Sequence, residues 1–590
     1  MVHQAEVNNG LKITKKSLLQ VIDSETLVNF DVVFVRLPNI TYEESILPMT
    51  KQSFSRNKIK LVCTAIRELG TKLRKSSKLL IMGESSLLPY IHHFVSKEFK
   101  FHNWFGIRLD NNSINGKFLK NDHIGVLLYT KGSKELSHGV IRIGYEYCSF
   151  CKKTTKDYGG KKHLYHSFGT SMSDVWKDIT ISRNDEFPKI VIERFQDLFS
   201  VEPNKKMLVT SLWDLKQSDY KRIIKDERIP HGLFANNVPK KTKTKTIQKN
   251  KLLLGDCIKN LEKIDDESVD MVFVDPPYNL SKEYLGYSDN LSYDGYFEWC
   301  NEWLSHLTRI LKKGGTFFVV NIPSSSLEYF IFLNQKLTFQ NWIIWDALSA
   351  PVKKILPAHY SILFFTKGKK PKVFNYKDGS TTNDPICEPL NYGYCIRNSC
   401  INKRNKEIGT TKLLTDLWTD VHRIKHNSLR EDHPTLLPPK LVRRFITLFT
   451  NKEQLVLDCF NGVGTTSLVA QELGRHYCGI EKNLTYHKIS KTRHLQMQHG
   501  KSPFEKRKTI PEAKNSSLKR VKVRKYEVPK RTLQLEVKEI SKKIGRVPTR
   551  EDVKKHSKYP IDYFDNYFRS WYEVTNAVKN EGMSEIKSSV

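Results

Sequence analysis

The chain has 590 residues, a formal net charge of +34, 39% hydrophobic and 11% aromatic residues, and ten cysteines. That length is a prior for about four structural units with ample core, and the hydrophobic content excludes wholesale disorder. The surplus of cations points to a polyanionic partner, nucleic acid ahead of an anionic membrane surface, because no long basic amphipathic helix stands out. The apolar stretches, such as Thr316 to Ile322 and Trp342 to Trp345, fall short of the roughly 18 residues of a membrane span; the N-terminus lacks the apolar block of a signal peptide; and the cysteines are too sparse for a disulfide scaffold. Secreted, membrane-spanning and fibrous classes are thereby excluded, and a cytoplasmic protein is expected.

Two basic runs punctuate the chain. Pro239 to Lys251 (PKKTKTKTIQKNK) has no apolar periodicity, and Lys501 to Arg531 is rich in Lys and Arg with Pro503, Pro511 and Pro529. Both read as solvated linkers whose charge suits phosphates. They leave a first block over 1–238, a second over 252–500 and a tail over 531–590.

The first two blocks repeat one another. FDVVFVRLPN (Phe30 to Asn39) matches VDMVFVDPPYN (Val269 to Asn279), and HIGVLLYTKG (His123 to Gly132) matches HYSILFFTKG (His359 to Gly368). SDVWKDI (Ser173 to Ile179) matches TDLWTDV (Thr415 to Val421), and Glu186 to Ser200 matches Asp432 to Thr450. Four matches in one order imply a duplicated unit. In the second block Leu252–Leu254, Met271–Val274, Thr316–Val320, Ser361–Phe365 and Leu455–Leu457 read as buried strands. Phe297–Leu311 and Leu441–Phe449 carry the helical period. The fold class expected is α/β, a parallel sheet covered on both faces.

Two motifs in the second block carry chemistry. Asp275-Pro276-Pro277-Tyr278 closes the strand MVFV. Two prolines make the turn rigid and donate no N–H, so a carboxylate, carbonyl acceptors and an aromatic face share one place. An exocyclic amino group on a flat base needs that set, two acceptors for its hydrogens and a ring to stack on. A structural turn with a surface tyrosine is the plainer alternative. The second motif, Leu455 to Gly474, is a strand, a turn with Gly462 and Gly464, and a helix from about Thr465 whose free N–H groups face a ligand. His476 to Asn483 is a further short strand ending in Glu481, placed to accept ribose hydroxyls. The glycines fit neither the dinucleotide fingerprint nor the P-loop, so a nucleoside-type cofactor without a pyrophosphate fits better.

Together the motifs resemble the amino-methyltransferases of DNA, in the motif order of the β class, over about residues 251 to 490. The resemblance implies a duplicated Rossmann-like fold, S-adenosyl-L-methionine as methyl donor, double-stranded DNA as substrate and a prokaryotic, nucleoid-associated setting. Asp275 to Tyr278 are implied to be the catalytic motif, with Asp275 and the Pro276 carbonyl holding the amino hydrogens and Tyr278 stacking on a flipped base. Asp458, Phe460, Asn461, Gly462, Gly464, Thr465 and Glu481 are implied to bind the cofactor, with Asp256 on its adenine. His433-Pro434-Thr435 and Pro438 resemble the segment leading into the helix before the cofactor strand, and Lys369 to Leu429 falls where this class reads its target. Adenine N6 is the expected target because Asp rather than Ser precedes Pro-Pro-Tyr. Cytosine N4 is the runner-up, and a non-catalytic DNA-binding protein is the rival. A restriction endonuclease partner would be a separate protein, and no metal is assigned.

The first block departs from this pattern. Arg36-Leu37-Pro38-Asn39 replaces Asp275 to Tyr278, and no glycine follows Met207–Val209 until Gly232. This implies a catalytically dead copy packed on the live one as an internal pseudo-dimer. Cys148-x-x-Cys151 with His163 and His166 has the residue types of a zinc site, and Cys395 with Cys400 is the comparable pair in the second block. Cys63, Cys257, Cys300, Cys459 and Cys478 read as core. The tail resembles the helical repeat appended to homing endonucleases. It shows a helix over Leu533–Ile544, a second capped by Thr549 with Asp552, and an apolar stripe of Phe564, Phe568, Trp571 and Val574. This implies a small all-α DNA-binding module.

Overall fold

The computed structural model describes residues within 7–219, 249–376, 399–504 and 528–575, apart from shorter internal stretches such as 40–53, 111–117, 155–165 and 422–435. Most of both basic runs, most of 369–430 and His433 to Thr435 lie outside the described residues.

Mostly buried β-branched and aromatic runs build two eight-stranded sheets; Leu252–Leu254, expected to be buried, instead lies in an edge strand with Leu254 46% exposed. The first runs in the order Val7–Asn8, Leu11–Ser17, Met207–Ser211, Val32–Arg36, Lys78–Gly83, His123–Lys131, Phe99–Leu109, Val175–Ile181. The second runs Lys251–Leu254, His476–Glu481, Leu455–Asp458, Val269–Val274, Leu311–Asn321, His359–Thr366, Thr338–Asp346, Leu417–Trp418. From the third strand onward the two orders and strand directions coincide. They differ at the second place. The second sheet puts His476–Glu481 there, from late in the chain, and the first puts Leu11–Ser17, from its start.

The expectation of a parallel sheet is corrected. His359–Thr366 runs antiparallel to both of its neighbours, as His123–Lys131 does in the first sheet. Each pairs with the strand just before it in the chain, and a parallel pairing would require a crossover connection. Thr338–Asp346 is a strand that the sequence reading does not include, because Gln340 and Asn341, both buried, interrupt its apolar run. Those amides are satisfied by Thr366 Oγ1 (2.9 Å), the Leu119 carbonyl (3.2 Å) and Asn121 Oδ1 (2.7 Å).

The sheets meet through matched strands. Trp104 pairs with Leu127 and Trp342 with Leu363, the same place in each sheet. The two indoles are almost fully buried and stack on one another at 4.1 Å. Asp416 accepts the Asp122 N–H and His123 Nδ1–H, both at 2.9 Å, while Asp174 accepts the Ala358 and His359 N–H groups at 2.9 and 3.0 Å. Burial pushes the Asp174 carboxyl up to about 8. Between the helices Leu88–Val95 and Pro323–Lys336, Tyr90 meets Phe330 edge-on at 5.5 Å and takes the Asn334 amide at 2.5 Å. One apolar cluster therefore runs unbroken through both units.

The tail forms helices Lys530–Ile544, Arg550–His556 and Ile561–Tyr567 around Leu533, Val537, Ile540, Val553 and Phe564. Thr549 and Asp552 form the expected reciprocal cap, and Phe564, Phe568 and Val574 are core. Trp571 packs against that core, its indole N–H on the Pro548 carbonyl at 3.2 Å. No helix among the described residues is long and apolar enough to cross a membrane.

Candidate active site

The strand Leu455–Asp458 is buried throughout and ends in a turn with glycine at two left-handed positions. Gly462 and Gly464 have φ of 51° and 92°, and a Cβ on Gly464 would lie 2.4 Å from Ser490 Oγ. Asn461 fixes the turn from inside. Its amide donates to Ser490 Oγ (3.1 Å), its oxygen accepts from Ser467 (2.7 Å), and its own N–H binds the Ile480 carbonyl (2.9 Å). The turn delivers the chain into the helix Thr465–Glu472, whose N-cap is Gly464.

A cavity of about 420 Å³ opens in front of this turn. Asp256, Asp275, Pro277, Asp458, Phe460, Asn461, Gly462, Thr465 and Glu481 all line it, so the two sequence motifs converge on one space. Pro276, Tyr278 and Gly464 belong to the same turns without facing it. Glu481 accepts the Gly462 N–H (2.8 Å) and the Asn483 N–H (2.7 Å), one on each carboxylate oxygen, and burial raises its pKa. Asp458 accepts the Phe460 N–H at 2.9 Å; burial pushes its carboxyl up to about 7, and the charges of Asp275 and Glu481 add to the rise. Asp256 caps the short helix Cys257–Leu261, accepting the Ile258 and Lys259 N–H groups.

At the other motif, the Tyr278 hydroxyl donates to Asp275 Oδ1 at 2.5 Å and Tyr278 is only 8% exposed, with Tyr360 5.9 Å from its ring. The open stacking face expected of Tyr278 is therefore covered in this state. The turn is tied from both ends. Tyr296 donates to the Pro277 carbonyl at 2.6 Å, and Asn279, at φ 54°, exchanges two hydrogen bonds with Leu291 at 2.8 and 2.9 Å. Asn279 and Tyr296 escaped the sequence reading, as did Trp299, which lines the cavity and meets Phe460 at 5.7 Å. The signal for Tyr296 and Trp299 was an aromatic-rich helix, Tyr293–Ile310, downstream of the Asp-Pro-Pro-Tyr turn, whereas Asn279 is the next residue after that turn.

The corresponding place in the first unit is filled. Arg36 is fully buried. Its guanidinium donates to the carbonyls of Leu37 and Arg183 (both 2.9 Å) and to Asn39 Oδ1 (3.0 Å), and it lies over the Trp213 ring at 4.7 Å. Burial lowers its pKa to about 10. Trp213 follows the strand Met207–Ser211, where the second unit has its glycine turn.

Of the residues expected at a zinc site, His163 lies outside the described residues and His166 is not among the grouped ligands. Cys400 of the second unit joins Cys148 and Cys151 instead. Cys63, Cys257, Cys300, Cys459 and Cys478 are buried as expected.

Residues 269–492 match the family model of the N6/N4 DNA methylases. The Type II methyltransferase M.BamHI of Bacillus amyloliquefaciens is 40% identical over 236 residues, 39% of this chain and 54% of that protein, so the chain spans about half the length of that relative. The DNA adenine methyltransferase YhdJ of Escherichia coli K12 is 30% identical over 245 residues, 40% of this chain and 80% of that protein. Among solved structures, the PvuII DNA methyltransferase, cytosine-N4-specific, shares 20% identity at a TM-score of 0.31, over 44% of this chain and 95% of that one. The chain belongs to the N6/N4 DNA methylase family.

Proposed function

We propose that the second unit transfers a methyl group from S-adenosyl-L-methionine to the exocyclic N6 of adenine in duplex DNA, as the modification component of a restriction-modification system with a separate endonuclease. The observation that carries the reading is that Asp275 and Pro277 share one cavity with the Gly462–Gly464 turn and Glu481. Acceptors for an amino group and a cradle for a nucleoside cofactor thus line one space.

The residues present suit the cofactor. Gly462 lines the cavity without a side chain, so backbone can lie against the ligand there, and Phe460 and Trp299 give an apolar wall for a purine. Asp458 and Glu481 supply negative charge that a sulfonium cation favours. The Glu481 oxygens each keep a lone pair for a ribose hydroxyl, and Asp256 is the group for the adenine. When bound, the sulfonium supplies an already activated methyl group.

The chain's own residues do the rest. An aromatic amine is a poor nucleophile because its lone pair is delocalised into the ring. Asp275, in the cavity wall, and the Pro276 carbonyl, in the same turn beside the cavity, accept its two hydrogens and favour the pyramidal nitrogen that attacks, an interaction strongest in the transition state. Tyr278 fixes Asp275 through its hydroxyl and stacks on the flipped base once its ring is uncovered. The rigid turn, held by Tyr296 and Asn279, contributes positioning.

In this reading the first unit, 1–238, is a degenerate copy of the catalytic unit, 252–500, and the two form an internal pseudo-dimer. The matching strand orders and reciprocal contacts support it, and Arg36 and Trp213 occupy the space a base and cofactor would need. Residues 369–430 read the target, the runs 239–251 and 501–530 are linkers, and 531–590 is a DNA-binding module. Cytosine N4 is the second reading, favoured by the same acceptor pair, which does not discriminate between the two amino groups.

The test is incubation of purified protein with unmethylated genomic DNA and labelled S-adenosyl-L-methionine, with nucleosides resolved by mass spectrometry. N6-methyladenine that is lost in Asp275→Ala is the expected result. N4-methylcytosine would move the target, and no methylated base with cofactor still bound would overturn the reading.

A further inference from the structure

We propose that Cys148, Cys151 and Cys400 hold a structural zinc ion that staples an insertion of the first unit to the matching insertion of the second. The three sulfur atoms lie within 4.8 Å of one another, and none is in a disulfide. Around a zinc ion with Zn–S bonds of about 2.3 Å, tetrahedral thiolates stand roughly 3.8 Å apart, so side-chain shifts of about 1 Å close the triad on a metal. Three soft sulfur donors favour zinc over the hard oxygen-seeking cations.

The local backbone is built to aim two of the thiols together. Tyr147–Cys148 and Lys153–Thr154 pair antiparallel, with Cys148 opposite Lys153. The turn between them closes through the Lys152 N–H on the Cys148 carbonyl at 2.9 Å, and Lys152 takes a left-handed φ of 55°. That conformation is unfavourable for a lysine and persists where the surroundings demand it. Cys148 and Cys400 are 6% and 3% exposed and form their own small cluster with Phe150 and Cys151, apart from the main cores. Such a cluster has too little apolar area to hold itself together, and a metal supplies what burial does not.

The placement gives the ion a task. Cys148 and Cys151 lie between the strands His123–Lys131 and Val175–Ile181, and Cys400 lies between His359–Thr366 and Leu417–Trp418, the equivalent connection. The second connection is the proposed target-reading segment. The ion therefore ties that segment to the non-catalytic unit. Structural zinc takes four ligands; Cys395, five residues before Cys400, lies outside the described residues. This inference is independent of the methylated base.

The experiment is metal analysis of the full-length chain, purified without chelator. About one zinc per chain is expected, lost in Cys148→Ser and Cys400→Ser and retained in Cys63→Ala. Because those serine variants can fail to fold, the wild-type chain is also loaded with cobalt(II), where thiolate-to-cobalt charge-transfer absorption that zinc displaces is expected. No stoichiometric zinc together with no such absorption overturns the proposal, as does full zinc content in soluble Cys400→Ser.

Discussion

Trp104 stacks on Trp342 with 10° between the ring planes, each from the same position of its own sheet. Two positions on, Gly106 faces Ile344, where a Cβ would meet Ile344 Cδ1 at 2.1 Å. Large meets large at one step and small meets large at the next, which fixes how the units dock.

Removing that stack leaves a cavity in a core shared by both units. Trp104→Ala is expected to lower unfolding free energy by about 3–5 kcal/mol, read from urea denaturation. Gly106→Ala is expected to cost about 1–3 kcal/mol by overpacking, and Ile344→Ala in the same chain to recover part of it. Additive losses in the double variant would show that the two side chains do not share the space.

The Tyr278 hydroxyl on Asp275 is a hydrogen bond to a charged acceptor, of the kind worth about 1.5–3 kcal/mol. Tyr278→Phe keeps the ring and loses the bond. A fall in kcat of about 10- to 100-fold with unchanged cofactor affinity is expected, measured by single-turnover methylation and by cofactor titration. An unchanged kcat would remove the hydroxyl from the mechanism.

Asp458 gives a pH dependence with a defined sign. With its carboxyl at about 7 rather than the ordinary 3.8, the folded chain holds a proton that the unfolded chain has lost between those values. The contribution of this residue to stability therefore falls as pH rises through that window. Binding of a cationic cofactor takes the ionised form, so affinity is expected to weaken by up to about tenfold per pH unit below 7. Calorimetry of wild type and Asp458→Asn across pH 5.5–8 checks this: the variant's affinity should be flat.

Truncation after residue 527 removes the three tail helices, whose core is separate from the two sheets. DNA affinity is expected to weaken by about tenfold or more at low salt, with a shallower dependence on salt and unchanged cofactor affinity. Fluorescence anisotropy with a duplex at several salt concentrations reads both. Equal DNA binding would assign the tail another role.

How much of this was legible in the sequence depended on whether the signal was local. Asp275, Gly462, Gly464 and Glu481 stood out because strand ends, proline pairs and glycine turns are written in consecutive residues, and all but Gly464 face the cavity. Trp299 stayed hidden, since an aromatic on an amphipathic helix looks like any core residue. The antiparallel strand His359–Thr366 was read as parallel because a strand buried on both faces has the same apolar pattern in either direction. Cys400 could not be joined to Cys148 and Cys151 without the docking of the two units. The covered ring of Tyr278 likewise follows from Tyr360, brought to it by another part of the chain.

The strand Leu11–Ser17 stands in the slot that His476–Glu481 fills in the second sheet. That strand runs parallel to its neighbour just as His476–Glu481 does, but it ends in Lys16 and Ser17, a cation and a hydroxyl where the second sheet ends in the acid Glu481. Under the proposed function the molecule presents a two-fold body to DNA with a single working face. Each strand of a duplex target would then be modified in its own encounter, and hemimethylated DNA would be released in between.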